Sequence, residues 1–573
     1  MDQAIAAGRT APQPDSTQEL QFPAPPRSVY QNPSRNADSS IPSFNATSST
    51  DNEEKDKFMS ADISETGVPH NDSRNSPLNK PLLLSAMVAA LSSINYGWVI
   101  GSVNIPSQVI EKCSGGPETW SNGFPSCIPM SSTLWGLVVG LTALGAWAGS
   151  MFSGQIADRF GRKRTLMFNN VFFVAGALLT CTATSIAQLA IGRFVSGIGC
   201  GVAANLVSTY NSEVATTRTR GFLGGFQQLM ILIGLFLSQI VSIGLSTAPL
   251  WRILFSISAV LAIVQTGLLF FIPESPKFLA IKDRTDESRA ALQKLRANLD
   301  ITLEFNELTA MLESSRESAA MPKPSAWQIL TGKTEIDLRH LVFSVLFLMM
   351  SQQWSGAKGV MFYSTEILST TFHLTEEEIK KIPTIAQLLT LGIGGIGAVA
   401  VIIGMFILDK IGRRTVLICS SLATAICSVF IVVGSKLDIG PMVATFMYFF
   451  NLVFQCGAGF IPYLSASELL PYSVLGSISG LATSINSLTL FIVSFIFPIL
   501  DKALGPYLFL PFAVTNLITF LFAVFIMPEA KGKPISEVMK EYQGPIHIAN
   551  NPFASRASKR SENAAETTFS STA

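Results

Sequence analysis

Charge is scarce in this chain. Asp, Glu, Lys and Arg make up only 14% of 573 residues, and 40 basic against 39 acidic side chains leave a net charge of +1. The basic residues lie in short loops and tails rather than on one continuous face, so no nucleic-acid partner is expected. Histidine is rarer still. His70, His340, His373 and His547 are scattered over tails, a loop and a span edge without metal-ligand spacing. A nucleotide-binding glycine loop and a nucleophile motif in a soluble segment are also missing, so neither enzyme chemistry nor a cofactor or metal is expected.

Cysteine is sparse and mostly apolar in setting. Cys181, Cys200, Cys419, Cys427 and Cys456 lie inside hydrophobic runs as packing residues. Cys113 and Cys127 share a Pro/Gly-rich loop, where a disulfide forms if that side is oxidising and not otherwise. Residues 1–79 are polar and contain no apolar core of signal-peptide length, which reads as a disordered cytoplasmic tail.

What is abundant is apolar surface: 48% of the residues are hydrophobic, and the mean hydropathy is +0.40. A span needs roughly 20 apolar residues to cross about 30 Å of hydrocarbon. About twelve such runs occur, six between residues 81 and 272 and six between 340 and 527. The fold class is therefore an all-α membrane protein of about twelve transmembrane helices in two six-helix halves. The expected division is a tail over 1–79, a first half over 80–273, a charged cytoplasmic linker with short amphipathic helices over 274–339, a second half over 340–527 and a tail over 528–573.

A charged turn punctuates each half. Asp158-Arg159-Phe160-Gly161-Arg162-Lys163-Arg164 follows the second run, and Asp409-Lys410-Ile411-Gly412-Arg413-Arg414 follows the eighth. Glycine permits the tight reversal, and the retained basic residues put these turns and both termini in the cytoplasm. Pro273-Glu274 and Pro528-Glu529 close the sixth and twelfth runs, a second repeat at equivalent places. Such duplication marks a transporter built from related halves.

The fourth run opens with Gly192-Arg193-Phe194, carries Gly197, Gly199 and Gly201 for close helix packing, and ends in Tyr210, Glu213, Arg218 and Arg220-Gly221. With these motifs in order, residues 85 to 540 resemble the sugar porters of the major facilitator superfamily. The resemblance implies two halves rocking around a central site, with alternating access to the two sides. It also implies that Asp158, Arg159, Arg162, Glu213, Arg220, Glu274, Asp409, Arg413, Arg414 and Glu468 form an ion-pair network closing an inner gate. Several partly desolvated pairs give a discrete, reversible closed state.

The resemblance places the solute site among Gln228, Gln352, Gln353, Tyr363, Gln455, Tyr463 and Asn486. An amide both donates and accepts, as a sugar hydroxyl does. In the seventh run the family pattern is Gln-Gln-x-Ser-Gly-x-Asn, and this chain reads Gln352-Gln353-Trp354-Ser355-Gly356-Ala357-Lys358. Lys358 replaces the sugar-binding asparagine. It binds an acidic sugar, donates to neutral hydroxyls, or plays a structural part only.

Gln455 stands where hexose facilitators carry glutamate, and Tyr463 where they carry tryptophan. The stretch Tyr96 to Asn104 in the first run holds no acid, so Arg193 has no acidic partner there. A proton relay needs a titratable group. Facilitated diffusion is thus preferred to proton symport, with an anionic sugar derivative as cargo, or a non-transporting sensor, as the alternatives. The expected surroundings are a lipid bilayer of plasma or internal membrane and a small sugar-like solute, with oligomeric state open.

Overall fold

The computed structural model describes Ser73 and residues 76–544, apart from 112, 114–119, 122, 217, 248–249, 298, 320–327, 330, 332–336, 375–383, 532–534 and 543. Most of the two expected tails lies outside the described residues.

The first half contains α1 (Lys80–Gly101), α2 (Ser132–Phe160), α3 (Arg162–Cys181), α4 (Ile186–Val214), α5 (Arg220–Leu245) and α6 (Trp251–Leu269). Local chemistry fixes several starts. Asn79 Oδ1 accepts the Leu82 N–H ahead of α1 at 2.9 Å, and Ser131 and Ser185 cap α2 and α4 in the same way. Between α1 and α2, a small ladder pairs Trp120–Ser121 with Phe124–Pro125, and Cys113 is disulfide-bonded to Cys127. This end of the bundle is called the disulfide end below. The opposite end carries the two charged turns.

The charged middle segment folds into α7 (Pro276–Ile281), α8 (Thr285–Arg296) and α9 (Thr302–Ala319). The second half departs from six plain spans. Its first span is broken into α10 (Arg339–Trp354) and α11 (Ala357–Thr371), followed by α12 (Ile385–Ile411) and α13 (Arg413–Lys436). The next run is also broken, into α14 (Gly440–Cys456) and α15 (Ile461–Leu469); then come α16 (Tyr472–Leu504), α17 (Leu510–Phe525) and a docked α18 (Ile535–Glu541). The breaks fall at Gly356, whose φ of 86° is left-handed, and at Gly457-Ala458-Gly459.

Among the described residues, ten segments are long and apolar enough to cross a membrane, six over 80–269 and four over 385–507. The α10–α11 pair and the 16-residue α17 occupy the places read as the seventh and twelfth spans. Large apolar side chains such as Phe270, Phe271 and Phe406 are up to 71% exposed on the outside of the bundle, a surface that suits lipid rather than water.

Within the first half, glycines let backbones meet. A Cβ on Gly197 would lie 2.2 Å from the Thr142 carbonyl, and one on Gly201 would lie 2.0 Å from that of Ala146, so α2 and α4 cross in contact as the glycine pattern predicts.

The seam between the halves is uneven. Near the disulfide end, Gly136 faces Pro498, Gly140 faces Phe491, and Asn104 donates to Met361 O at 2.8 Å and to Ser364 Oγ at 2.9 Å. Towards the charged turns, no described atom lies within 4 Å of a Cβ added to Gly154 of α2 or Gly480 of α16. Gly154 lies within about 40° of Gly140 around α2, and Gly480 within about 20° of Phe491 around α16, at 100° per residue. Among the described residues, the two helix faces that touch at the disulfide end are thus out of contact at these positions near the turn end.

Candidate functional site

Broken helices leave carbonyls without intrahelical donors, and in a membrane those groups must be satisfied from within the protein. Four of the residues singled out in the sequence meet here. Gln352 and Gln353 end α10, and Gln352 Nε2 donates to the freed Gly459 carbonyl at 2.5 Å. Asn486 of α16 donates to Met349 O and to Gln352 Oε1, both at 2.8 Å. Its own Oδ1 accepts from Gln353 Nε2 and from the Tyr463 hydroxyl, each at 3.1 Å. One asparagine thus ties α10, α15 and α16 into a polar cluster at the helix breaks.

Gln455 belongs beside this cluster. It is fully buried, and its Oε1 would lie 2.5 Å from a Cβ on Gly459, the residue that accepts from Gln352. Among the described residues, both ends of the Gln455 amide lack a hydrogen-bond partner, as do Gln353 Oε1 and Asn451 Oδ1. Leaving buried polar atoms unpaired costs about 1–3 kcal/mol each, so this cluster has capacity for further hydrogen bonds.

The other expected site residues stand apart. Tyr363 is buried, stacks on Phe497 at 4.9 Å and donates its hydroxyl to Ser494 O at 3.0 Å, which braces α11 against α16. Gln228 is half-buried on α5, outside the amide cluster, while its neighbour Gln227 donates to Ala204 O at 2.6 Å. Lys358 is half-buried in the first turn of α11, its ammonium 3.7 Å from Met361 Sδ, and among the described residues no carboxylate pairs with it. Sequence reading missed Asn516 and Thr515, which donate to Ser355 O at 2.9 Å and Trp354 O at 2.7 Å. Only the position of the α10 break reveals that these carbonyls need donors.

At the turn end, charged residues pair within each half. Arg162 pairs with Glu213 at 2.9 Å and with the exposed Asp158 at 3.2 Å, and its guanidinium lies over the Phe278 ring. Arg413 grips Glu468 through Nε at 2.9 Å and Nη2 at 2.8 Å. Each of these two pairs lies within one half. Arg159 packs over Phe160. Arg414 donates to Ala523 O at 3.0 Å and Val524 O at 2.5 Å. The side chains of Arg220 and Asp409 lie outside the described residues.

The Pro-Glu repeat has a geometric job. Glu274 Oε1 accepts the N–H groups of Arg162 at 2.9 Å and Lys163 at 3.0 Å, and Glu529 accepts that of Arg414 at 3.2 Å. Each glutamate caps the positive N-terminus of the helix after the turn, at α3 and α13, from the far end of its own half. Outside the spans, Arg339 hydrogen-bonds Asp337 and holds that carboxyl below its ordinary range.

A family model described as "Sugar (and other) transporter" matches residues 85–542. Facilitated glucose transporter member 2 of solute carrier family 2 from Sus scrofa is 31% identical over 521 residues, covering 82% of this chain and 96% of that protein. Member 3 from Gallus gallus is 30% identical over 480 residues, covering 82% and 93%. The fold is similar to the xylose transporter XylE from E. coli in a partially occluded inward open conformation, with a TM-score of 0.65, 22% identity, and coverage of 79% of this chain and all of that one. XylE as a proton:xylose symporter bound to 6-bromo-6-deoxy-D-glucose aligns with a TM-score of 0.64 at 23% identity, over 80% and 98%.

Proposed function

The chain belongs to the sugar (and other) transporter family, and on that premise we propose that it carries a monosaccharide-type solute across a membrane by alternating access, as a uniporter. It is an integral multi-pass membrane protein, not an enzyme. The observation that carries the reading is the buried amide cluster around Asn486, in which Gln455 and Gln353 hold unpaired donors and acceptors matched to hydroxyl groups. The two bodies that rock are residues 80–273 and 340–527, joined through 274–339. Lys and Arg concentrated in the turns put that end, and both termini, in the cytosol. The parted seam there corresponds to a cavity open inward, and the Arg162–Glu213 and Arg413–Glu468 pairs hold the ends of each half rigid as they swing together.

Uniport follows from the missing acid. Among the described residues, α1 and α6 carry no carboxylate and the one carboxylate of α4, Glu213, lies at its far end, so nothing near Arg193 can take up a proton along the path. The half-buried ammonium of Lys358 favours a second reading in which the carried sugar bears an acidic group. Uptake of labelled glucose, xylose and glucuronate into vesicles holding the purified protein tests both. Saturable uptake that equilibrates but does not accumulate, and that falls at least tenfold in Asn486→Ala, is the expected result. Accumulation driven by an imposed proton gradient would overturn uniport, and binding without flux would overturn transport. Lys358→Asn shifts preference from glucuronate to glucose if the lysine reads an anion.

A further inference from the structure

Arg193 is a poorly satisfied charge in the bundle interior. It is 2% exposed, its Nη1 donates to the Val99 carbonyl at 2.8 Å, and among the described residues its Nε and Nη2 have no hydrogen-bond partner. Arginine keeps its proton, so this is a fixed positive charge, and a buried cation in a membrane is costly without an anion. Among the described residues no carboxylate pairs with it. Helices α1, α3, α5 and α6 contain none, Glu213 lies 20 residues along α4 from Arg193, about 30 Å away, and Asp158 is at the same distant end of α2.

The guanidinium borders two cavities. One, of about 10 Å³, is lined by hydroxyl-bearing Ser102, Thr180, Ser196 and Ser258. The other, also about 10 Å³, is closed by Phe362 and Leu490 from the second half. Each has room for about one water-sized occupant and excludes a whole sugar.

The geometry points to a binding site for a small monovalent anion, a halide or a carboxylate group, held by Arg193 with the Ser196 hydroxyl. Two N–H groups of a fixed cation supply charge-assisted donors, and Ser196 can add a hydroxyl donor, whereas Ser102, Thr180 and Ser258 already give their protons to Val99 O, Gly176 O and Asn95 Oδ1. Because Phe362 and Leu490 belong to the half that moves, the site opens and closes with the seam, so the anion binds one state of the transporter in preference to another. This inference does not depend on which sugar is carried, only on the two halves moving.

The test measures the melting temperature of the purified full-length protein in sodium methanesulfonate, with sodium chloride or sodium glucuronate substituted at constant ionic strength. Chloride is expected to raise it in a saturable manner, by on the order of 2 °C at tenfold excess over its dissociation constant. The rise should vanish in Arg193→Gln. Should that variant not fold, Ser196→Ala, which leaves the guanidinium in place, should need several-fold more chloride for the same rise. A rise with glucuronate alone, lost in the same variants, identifies a carboxylate as the anion instead of a free halide. If neither salt changes the wild-type melting temperature, or the rise survives in both variants, the site does not exist. Sugar flux measured in methanesulfonate reports separately on transport.

Discussion

Replacing Gly161 by alanine, beside the same change at Gly412, tests how the two charged turns are built. Both glycines adopt a backbone open essentially to glycine alone, with φ of 97° and ψ of 162° at Gly161 and 104° and 155° at Gly412. A side chain there costs about 1–3 kcal/mol at either position. The space differs. A Cβ on Gly161 would lie 2.4 Å from Glu274 Oε2 and 2.9 Å from the Phe278 ring, whereas on Gly412 it would lie 3.1 Å from Glu529 Oε2. At Gly161 the new methyl group must therefore expel the capping carboxylate, adding about 1–2 kcal/mol for the lost cap. Gly412→Ala should cost about 1–3 kcal/mol and Gly161→Ala about 2–5 kcal/mol. In a thermal melt of detergent-purified protein that gap is about 2–4 °C. Combining Gly161→Ala with Glu274→Ala should cost less than the sum of the two, because the clash disappears with the carboxylate. A Gly412 variant melting at or below the Gly161 variant, or strict additivity in the pair, would refute the capping account.

Glu213→Gln strands an Arg162 side chain that is 8% exposed, so a loss of about 3 kcal/mol is expected. Glu468→Gln, where the pair is 17% and 25% exposed, should lose about 1–2 kcal/mol; melting curves that reverse this order contradict the burial argument. Asn104→Ala leaves Met361 O, Ser364 Oγ and the Thr365 N–H without their shared partner. Opening at the disulfide end should become easier by about 2 kcal/mol, read as a tenfold or greater rise in maleimide labelling of Met361→Cys, and unchanged labelling would count against that closure. The depressed Asp337 carboxyl contributes stability above the pH at which it titrates in the unfolded chain, about 4, and loses it as the pH falls through its lower folded value. Asp337→Asn should therefore lower the neutral plateau of a plot of melting temperature against pH and flatten its acid limb, so that the variant and the wild type converge in acid.

Much of the architecture was legible because its causes are local. Apolar runs of membrane length, basic clusters at glycine turns and small residues at helix crossings are all read from neighbours in sequence. The position of Gly161 and Gly412 predicted tight reversals, and Gly197 and Gly201 predicted close packing.

Other features became visible only when distant segments met. The amide cluster depends on α10 and α14 breaking where they do, after which Gln352 finds Gly459 over 107 residues and Asn486 finds Gln352 over 134. The capping role of Glu274 spans 112 residues to Arg162, so a glutamate that looks like one more gate charge in the sequence is a helix cap in the fold. The sequence by itself determined the membrane class, the duplicated halves and the stock of charges and amides, since periodicity and composition are set along the chain. Tertiary structure alone decided which carbonyls were freed, which amides answered them, and which end of the seam stands open, since each depends on how closely remote backbones approach.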